Sequence, residues 1–213
     1  MQNSLDKAVA LTFDDGPNTT TTNEVLDVLE KHGVVASFFV VGNNINETSA
    51  KAVKRAYELG CEINNHSRTH SYMNKMSAED IKAEYEFTDS RIFEITGERA
   101  RFFRPPYIAV GDAMWESISV PFIAGLGCDD WDFNVPVDTR VSVITEGATD
   151  GTIILMHDFE HNSMTVEAID RIIPALKERG YSFTTVSGLF EAKGITPVTK
   201  MVYSNVLQKG MWE

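Results

Sequence analysis

Lys7-Ala8-Val9-Ala10-Leu11-Thr12-Phe13 runs directly into Asp14-Asp15-Gly16-Pro17. The first part is apolar with almost no alternation, which fits a strand buried on both faces. The Asp-Asp-Gly-Pro that follows reads as a turn ending that strand. A buried strand that delivers two carboxylates to its end suggests a parallel sheet with its chemistry at the strand ends.

The same grammar extends outward. Thr22–His32 sets Val25, Leu26, Val28 and Leu29 at helical spacing, with Gly33 as the stop. Ala36–Val41 reads as a strand, Ser49–Leu59 as a helix closed by Gly60, and Cys61–Asn64 as a strand. Ser77, with Asp80 as a capping-box partner, opens a helix running to Thr96 before Gly97. Further strands are expected at Phe102–Phe103, Phe122–Leu126, Thr152–Met156 and Phe183–Val186. Helices are expected at Arg140–Ala148, Val166–Arg179 and Ser187–Ala192. The stretch 193–213 shows no period and is expected to wrap back over the body as a tail. Alternating strands and helices, about seven strands in all, predict an α/β fold that suits a closed or nearly closed barrel. With no linker or internal repeat, residues 1–213 read as one domain.

The chain has 213 residues, 43% hydrophobic and 23% charged, with a formal net charge of -12. That field repels nucleic acid and anionic membranes and disfavours an anionic polymer, so neutral sugars fit better. No apolar run approaches the ~20 residues of a bilayer span. Met1–Lys7 lacks a signal-peptide core, leaving either a cytoplasmic protein or a mature domain of an exported precursor. Cys61 and Cys128 stand alone and read as reduced, packed residues.

Four polar clusters fall where strands end. A lone Asp-Gly would most simply cap the next helix, but adjacent Asp14 and Asp15 each raise the cost of ionising the other. The pair therefore points to a metal or a catalytic base. A single histidine would be a structural residue; His66 and His70, four apart, would share one face of a helical turn and one metal. With a carboxylate from a neighbouring strand end they would form a 2-His-1-carboxylate site with open positions for water and substrate. Arg104, held by Pro105 and Pro106, is by itself only an arginine beside a rigid turn. Beside the acids, it can hold a carboxylate in bidentate fashion and keep it ionised. His157 ends a strand, where a backbone carbonyl would be an ordinary partner. With a carboxylate beside it, for which Asp130 is the candidate, its pKa would rise and suit a general acid.

Taken in order, TFDDGP (Thr12–Pro17), HSRTH (His66–His70), RPPY (Arg104–Tyr107), DW (Asp130–Trp131) and LMH (Leu155–His157) resemble the NodB-homology polysaccharide deacetylases, carbohydrate esterase family 4. The resemblance spans Ala8 to about Leu189 and implies a distorted (β/α) barrel. It implies Asp15, His66 and His70 as metal ligands, Asp14 as catalytic base and Arg104 as its orienter. His157 would be the general acid, tuned by Asp130. Trp131 and Leu155 would wall the acetyl pocket, and the Tyr107 backbone N–H would face the oxyanion. Zinc is the implied metal, with cobalt or nickel accepted in some members. Ile108 departs from the family's usual Gly, and Gly127 from a frequent Asp.

The Gly127–Trp131 loop and Lys200–Asn205 resemble the acetylxylan esterase branch, which implies O-deacetylation of xylan; N-deacetylation of chitin oligomers or peptidoglycan is the alternative. The implied partner is an acetylated polysaccharide or oligosaccharide met outside the cytoplasm, with the chain a monomer or a module of a larger enzyme. Trp115, Phe133, Tyr107 and Trp212 are candidate sugar-stacking rings. An iron oxygenase with the same ligand set is disfavoured by the strand-helix alternation. A binding module without turnover is disfavoured because every catalytic group is retained.

Overall fold

The computed structural model describes residues 6–208. Its strands are β1 (Ala8–Asp14), β2 (Ser37–Val40), β3 (Glu62–Asn65), β4 (Phe122–Ile123), β5 (Ile153–His157), β6 (Ser182–Thr184) and β7 (Val202–Tyr203). Its helices are α1 (Thr21–His32), α2 (Ala50–Glu58), α3 (Ala78–Thr96), α4 (Asp112–Ser117), α5 (Val137–Gly147), α6 (Ser163–Glu178) and α7 (Val186–Ala192).

β1 is buried along its whole length. Val9, Leu11 and Phe13 pack with Val25 and Leu26 of α1 and Ile169 and Ile172 of α6. Ala8 and Ala10 face a second cluster containing Phe39, Ile123, Ile153 and Leu189. Apolar neighbours on both faces explain the missing alternation in KAVALTF. β5 pairs along one edge of β1; β2 and β6 share the other, β2 beside its C-terminal half and β6 beside its N-terminal half. β3 continues the sheet from β2, and every strand pair is parallel. The fold is therefore α/β with a parallel sheet, as the sequence predicts. β4 and β7 form a separate pair. Single bridges from Asn65 to Phe103, Phe103 to Phe122 and Leu126 to Ile154 connect that region to β3 and β5.

Phe102–Phe103 contributes only bridges where a strand is expected, because the Pro105-Pro106 pair that follows has no N–H to extend a ladder. β7 lies in the tail read as aperiodic, and β4 defines it by long-range pairing. α4 is too short to display a helical period. The Ser77 half of the α3 cap forms as expected, with Ser77 Oγ accepting the Asp80 N–H at 3.2 Å, while the Asp80 carboxylate accepts the Ser77 hydroxyl in place of its backbone N–H. Trp115 stacks on Phe122 at 4.2 Å within an apolar cluster and is no sugar platform. Trp212 lies outside the described residues. Cys61 and Cys128 are free and buried; burial pushes their thiols up to about 11 and about 12.

A candidate metal-centred active site

β1, β3 and β5 run parallel, so their C-terminal ends deliver Asp14, His66 and His157 to one rim. Asp14 pairs in register with His157 across the β1–β5 ladder. Asp14, Asp15, His66, His70, Tyr107, Ile108, Trp131, Leu155 and His157 line a cleft of about 420 Å³ there.

Asp15, His66 and His70 present ligand atoms within 4.8 Å of one another. Asp15 Oδ1 lies 3.5 Å from His66 Nε2 and 3.3 Å from His70 Nε2, and it is buried without a hydrogen-bond partner among the described residues. A buried carboxylate oxygen is expensive to leave bare, and a cation between three such donors would satisfy it. His66 Nδ1–H donates to the Arg104 carbonyl at 2.7 Å, which directs Nε2 toward the acids, an arrangement common behind metal-binding histidines. These residues therefore fit a metal ion. Burial pushes Asp15 up, but His66, His157 and His70 outweigh it and hold the carboxyl at about 2. Burial and the neighbouring His66 lower His70. His66 is raised: burial opposes its charge, but Asp14 and Asp15 overcome it. The spacing argument needs one correction. His66 and His70 do not share a helical turn, since Ser67 and His70 both have positive φ. A loop folds back instead and brings the two rings to 4.8 Å.

Arg104 is fully buried. Its Nη1 donates to Asp14 Oδ1 at 2.5 Å, while Nη2 and Nε donate to the carbonyls of Ala124 and Ile123. The grip on Asp14 is thus single and not bidentate, because the β4 strand end takes the other donors. Stacking over Phe39 at 4.1 Å completes the Arg104 surround.

His157 Nδ1–H donates to Asp130 Oδ1 at 2.8 Å, and the His157 N–H to Asp130 Oδ2 at 2.8 Å. Burial opposes the imidazolium, but Asp130 more than compensates, and His157 is raised to about 9. Behind it lies a layer that motif reading does not find. Thr165 Oγ1 donates to Asp130 Oδ2 at 2.7 Å, Asn162 Nδ2 donates to the Asp130 and His157 carbonyls, and buried Arg140 donates to Asn162 and Thr165. Asp158 is another unanticipated positioning residue. Its carboxylate accepts the Gly16 N–H and the Thr22 hydroxyl, pinning the Asp14–Asp15 turn. Burial, aided by Asp15, pushes Asp158 up to about 7. A side chain at Gly16 would collide with that carboxylate. Trp131, Tyr107 and Phe133 stand exposed; Tyr107 stacks on Tyr72 at 4.0 Å, and Phe133 meets Phe159 edge-on.

Residues 2–119 match the family model described as polysaccharide deacetylase. The chain belongs to that family. It is 47% identical over 201 residues to a bifunctional xylanase/deacetylase of Pseudobutyrivibrio xylanivorans, covering 94% of this chain and 33% of that protein. It is 36% identical to the peptidoglycan-N-acetylglucosamine deacetylase PgdA of Listeria monocytogenes, covering 88% of this chain and 40% of the other. The chain thus spans well under half the length of these two relatives. Among solved structures, a family 4 acetyl xylan esterase from Clostridium thermocellum in complex with cobalt superposes with a TM-score of 0.92 at 39% identity, covering 95% of this chain and 100% of the other. Among the described residues no helix is long and apolar enough to cross a membrane.

Proposed function

We propose that this deacetylase domain hydrolyses acetyl esters on xylan with a bound divalent metal, zinc first and cobalt or nickel as substitutes. The observation carrying this reading is the convergence of an Asp-His-His cluster, an arginine-held carboxylate and a carboxylate-backed histidine on one cleft. Asp15, His66 and His70 would hold the ion. Bound there, it would polarise the acetyl carbonyl and acidify water. Asp14, kept in place by Arg104, takes the proton from the attacking water. The Tyr107 backbone N–H donates to the oxyanion. His157, protonated at neutral pH and oriented by Asp130, returns a proton to the departing sugar oxygen. Trp131 and Leu155 wall the acetyl methyl and keep bulk water from it.

The choice of xylan is supported by the xylanase/deacetylase relative, the acetyl xylan esterase structure and the strongly acidic chain, which favours a neutral polymer. The alternative, amide hydrolysis on chitin oligomers or peptidoglycan, is supported by the similarity to PgdA. We further read residues 1–213 as one domain, either a monomer or a module of a larger enzyme, meeting its polymer outside the cytoplasm. Acetate release should be measured side by side from acetylxylan and from N-acetylglucosamine oligomers, after chelation and after adding zinc or cobalt. Metal-restored release from xylan is expected. Release mainly from the amino sugars would overturn the substrate, and none from either would overturn the activity.

A further inference from the structure

A second cavity of about 310 Å³ opens beside the cleft and shares Asp15 with it. Its wall is the turn after β2, where Asn43, Asn44 and Asn46 stand exposed. Backbone hydrogen bonds from Gly42 to Ser67 and from Asn43 to Arg68 tie this turn to the loop carrying His66 and His70.

Each asparagine is anchored at one end. Asn43 Oδ1 accepts from Arg68 Nε, Asn44 Nδ2 donates to the Asp15 carbonyl, and Asn46 Oδ1 accepts the N–H groups of Thr48 and Ser49. The opposite ends have no partner among the described residues: two amide donors, Asn43 Nδ2 and Asn46 Nδ2, and one acceptor, Asn44 Oδ1. Anchored amides have already lost rotamer freedom, so a ligand that meets them loses less on binding. Phe159 adds an aromatic ring to the cavity. The lining carries two carboxylates, Asp15 and Glu160, and no lysine or arginine. Its unpartnered amide donors and acceptor suit hydroxyl-rich ligands, and Glu160 disfavours an acid at its own end.

We propose that this cavity is a subsite for an unsubstituted neutral sugar ring, one that holds the glycan beyond the residue whose acetyl group is removed. The inference rests on the deacetylase reading for its orientation and extends that reading to a substrate class: uncharged oligomers that span both cavities. A chain bearing uronic acid or lactyl carboxylates at the Glu160 end would meet like charge there.

Binding tests this without turnover. The full chain is titrated calorimetrically with unacetylated xylo-oligosaccharides of two and six sugars, and with a six-sugar oligomer carrying glucuronic acid. The same titrations are run on a variant with Asn43→Ala and Asn46→Ser, the serine keeping an oxygen for the Thr48 and Ser49 N–H groups. The six-sugar oligomer should bind the parent more tightly than the two-sugar one and the acidic oligomer, and the variant should bind it about tenfold more weakly, in line with two lost hydrogen bonds. Side-chain amide NMR signals of Asn43 and Asn46 in the parent should shift with the six-sugar oligomer, a readout independent of whether the variant folds. Unshifted amide signals, or a folded variant that binds like the parent, would overturn the subsite. Acetate release from a small acetyl ester by the parent chain reports the deacetylase reading separately, so the two can fail independently.

Discussion

On the Asp15–His66–His70 side of the cleft, Asp15, Ser67, His70, Tyr107 and Ile108 all have positive φ, a region that non-glycine residues seldom occupy. On the His157–Asp130 side, His157 sits in regular strand, and of the pair and its neighbours only Asp129 has a positive φ, which aspartate tolerates. The dyad is instead fixed by hydrogen bonds from Thr165, Asn162 and the strand backbone. Side chains proposed as metal ligands must keep a lone pair bare, so a hydrogen bond can orient them only from the far ring nitrogen, as at His66, and the backbone supplies the rest at a cost in strain. A proton-transfer pair can be oriented by the very hydrogen bonds it uses.

The largest test removes a donor from the strained side. His70→Ala should leave less than one metal per chain by elemental analysis and cut kcat/KM by about a thousandfold or more. Retained metal and activity would mean that the backbone geometry serves something else. On the bonded side, Asp130→Asn keeps the shape and removes the charge. His157 should then fall from about 9 toward its ordinary range, the alkaline limb of the pH–rate profile should move down with it, and kcat should fall by ~10²–10³. Because the folded pKa lies above the unfolded one, the stabilisation from protonating His157 is complete below the ordinary histidine range and is lost as pH rises through about 9. The melting temperatures of parent and variant should therefore converge at high pH.

Thr165→Val reaches the dyad only through Asp130. Removing its hydroxyl should cost about 1–2 kcal/mol in denaturant unfolding and about tenfold in kcat, leaving metal content unchanged. An altered metal content would couple the two sides and erase the contrast. The smallest effect is expected at Ile108, a β-branched residue at φ 54 on the cleft wall. Ile108→Gly should raise stability by about 1 kcal/mol by relieving left-handed strain, with activity changing mainly through KM.

What the sequence made legible follows the same division. The apolar run of β1 and the apolar stretch ending in His157 announce buried strands, and strand ends announce where Asp14 and His157 will stand. The positions of His66 and His70 could be read, but not their geometry, because a spacing of four is helical only if the intervening φ values are. Thr165 and Asn162 reach Asp130 across 35 and 32 residues, and Arg140 reaches Asn162 and Thr165 across 22 and 25; all three lie on or beside helices, and no motif marks them. β7 is likewise a property of its partner strand more than of its own residues.

Cys61 begins the approach to β3 and Cys128 the loop that leads to Asp130, both enclosed and strongly protonated. A thiol reagent can modify them only when the surrounding structure opens, so each serves as a clock for its own region. The labelling rate at Cys128 would time openings beside the His157–Asp130 pair and that at Cys61 openings between α2 and β3. Both rates could be followed in the native chain, with no substitution to disturb what is being timed.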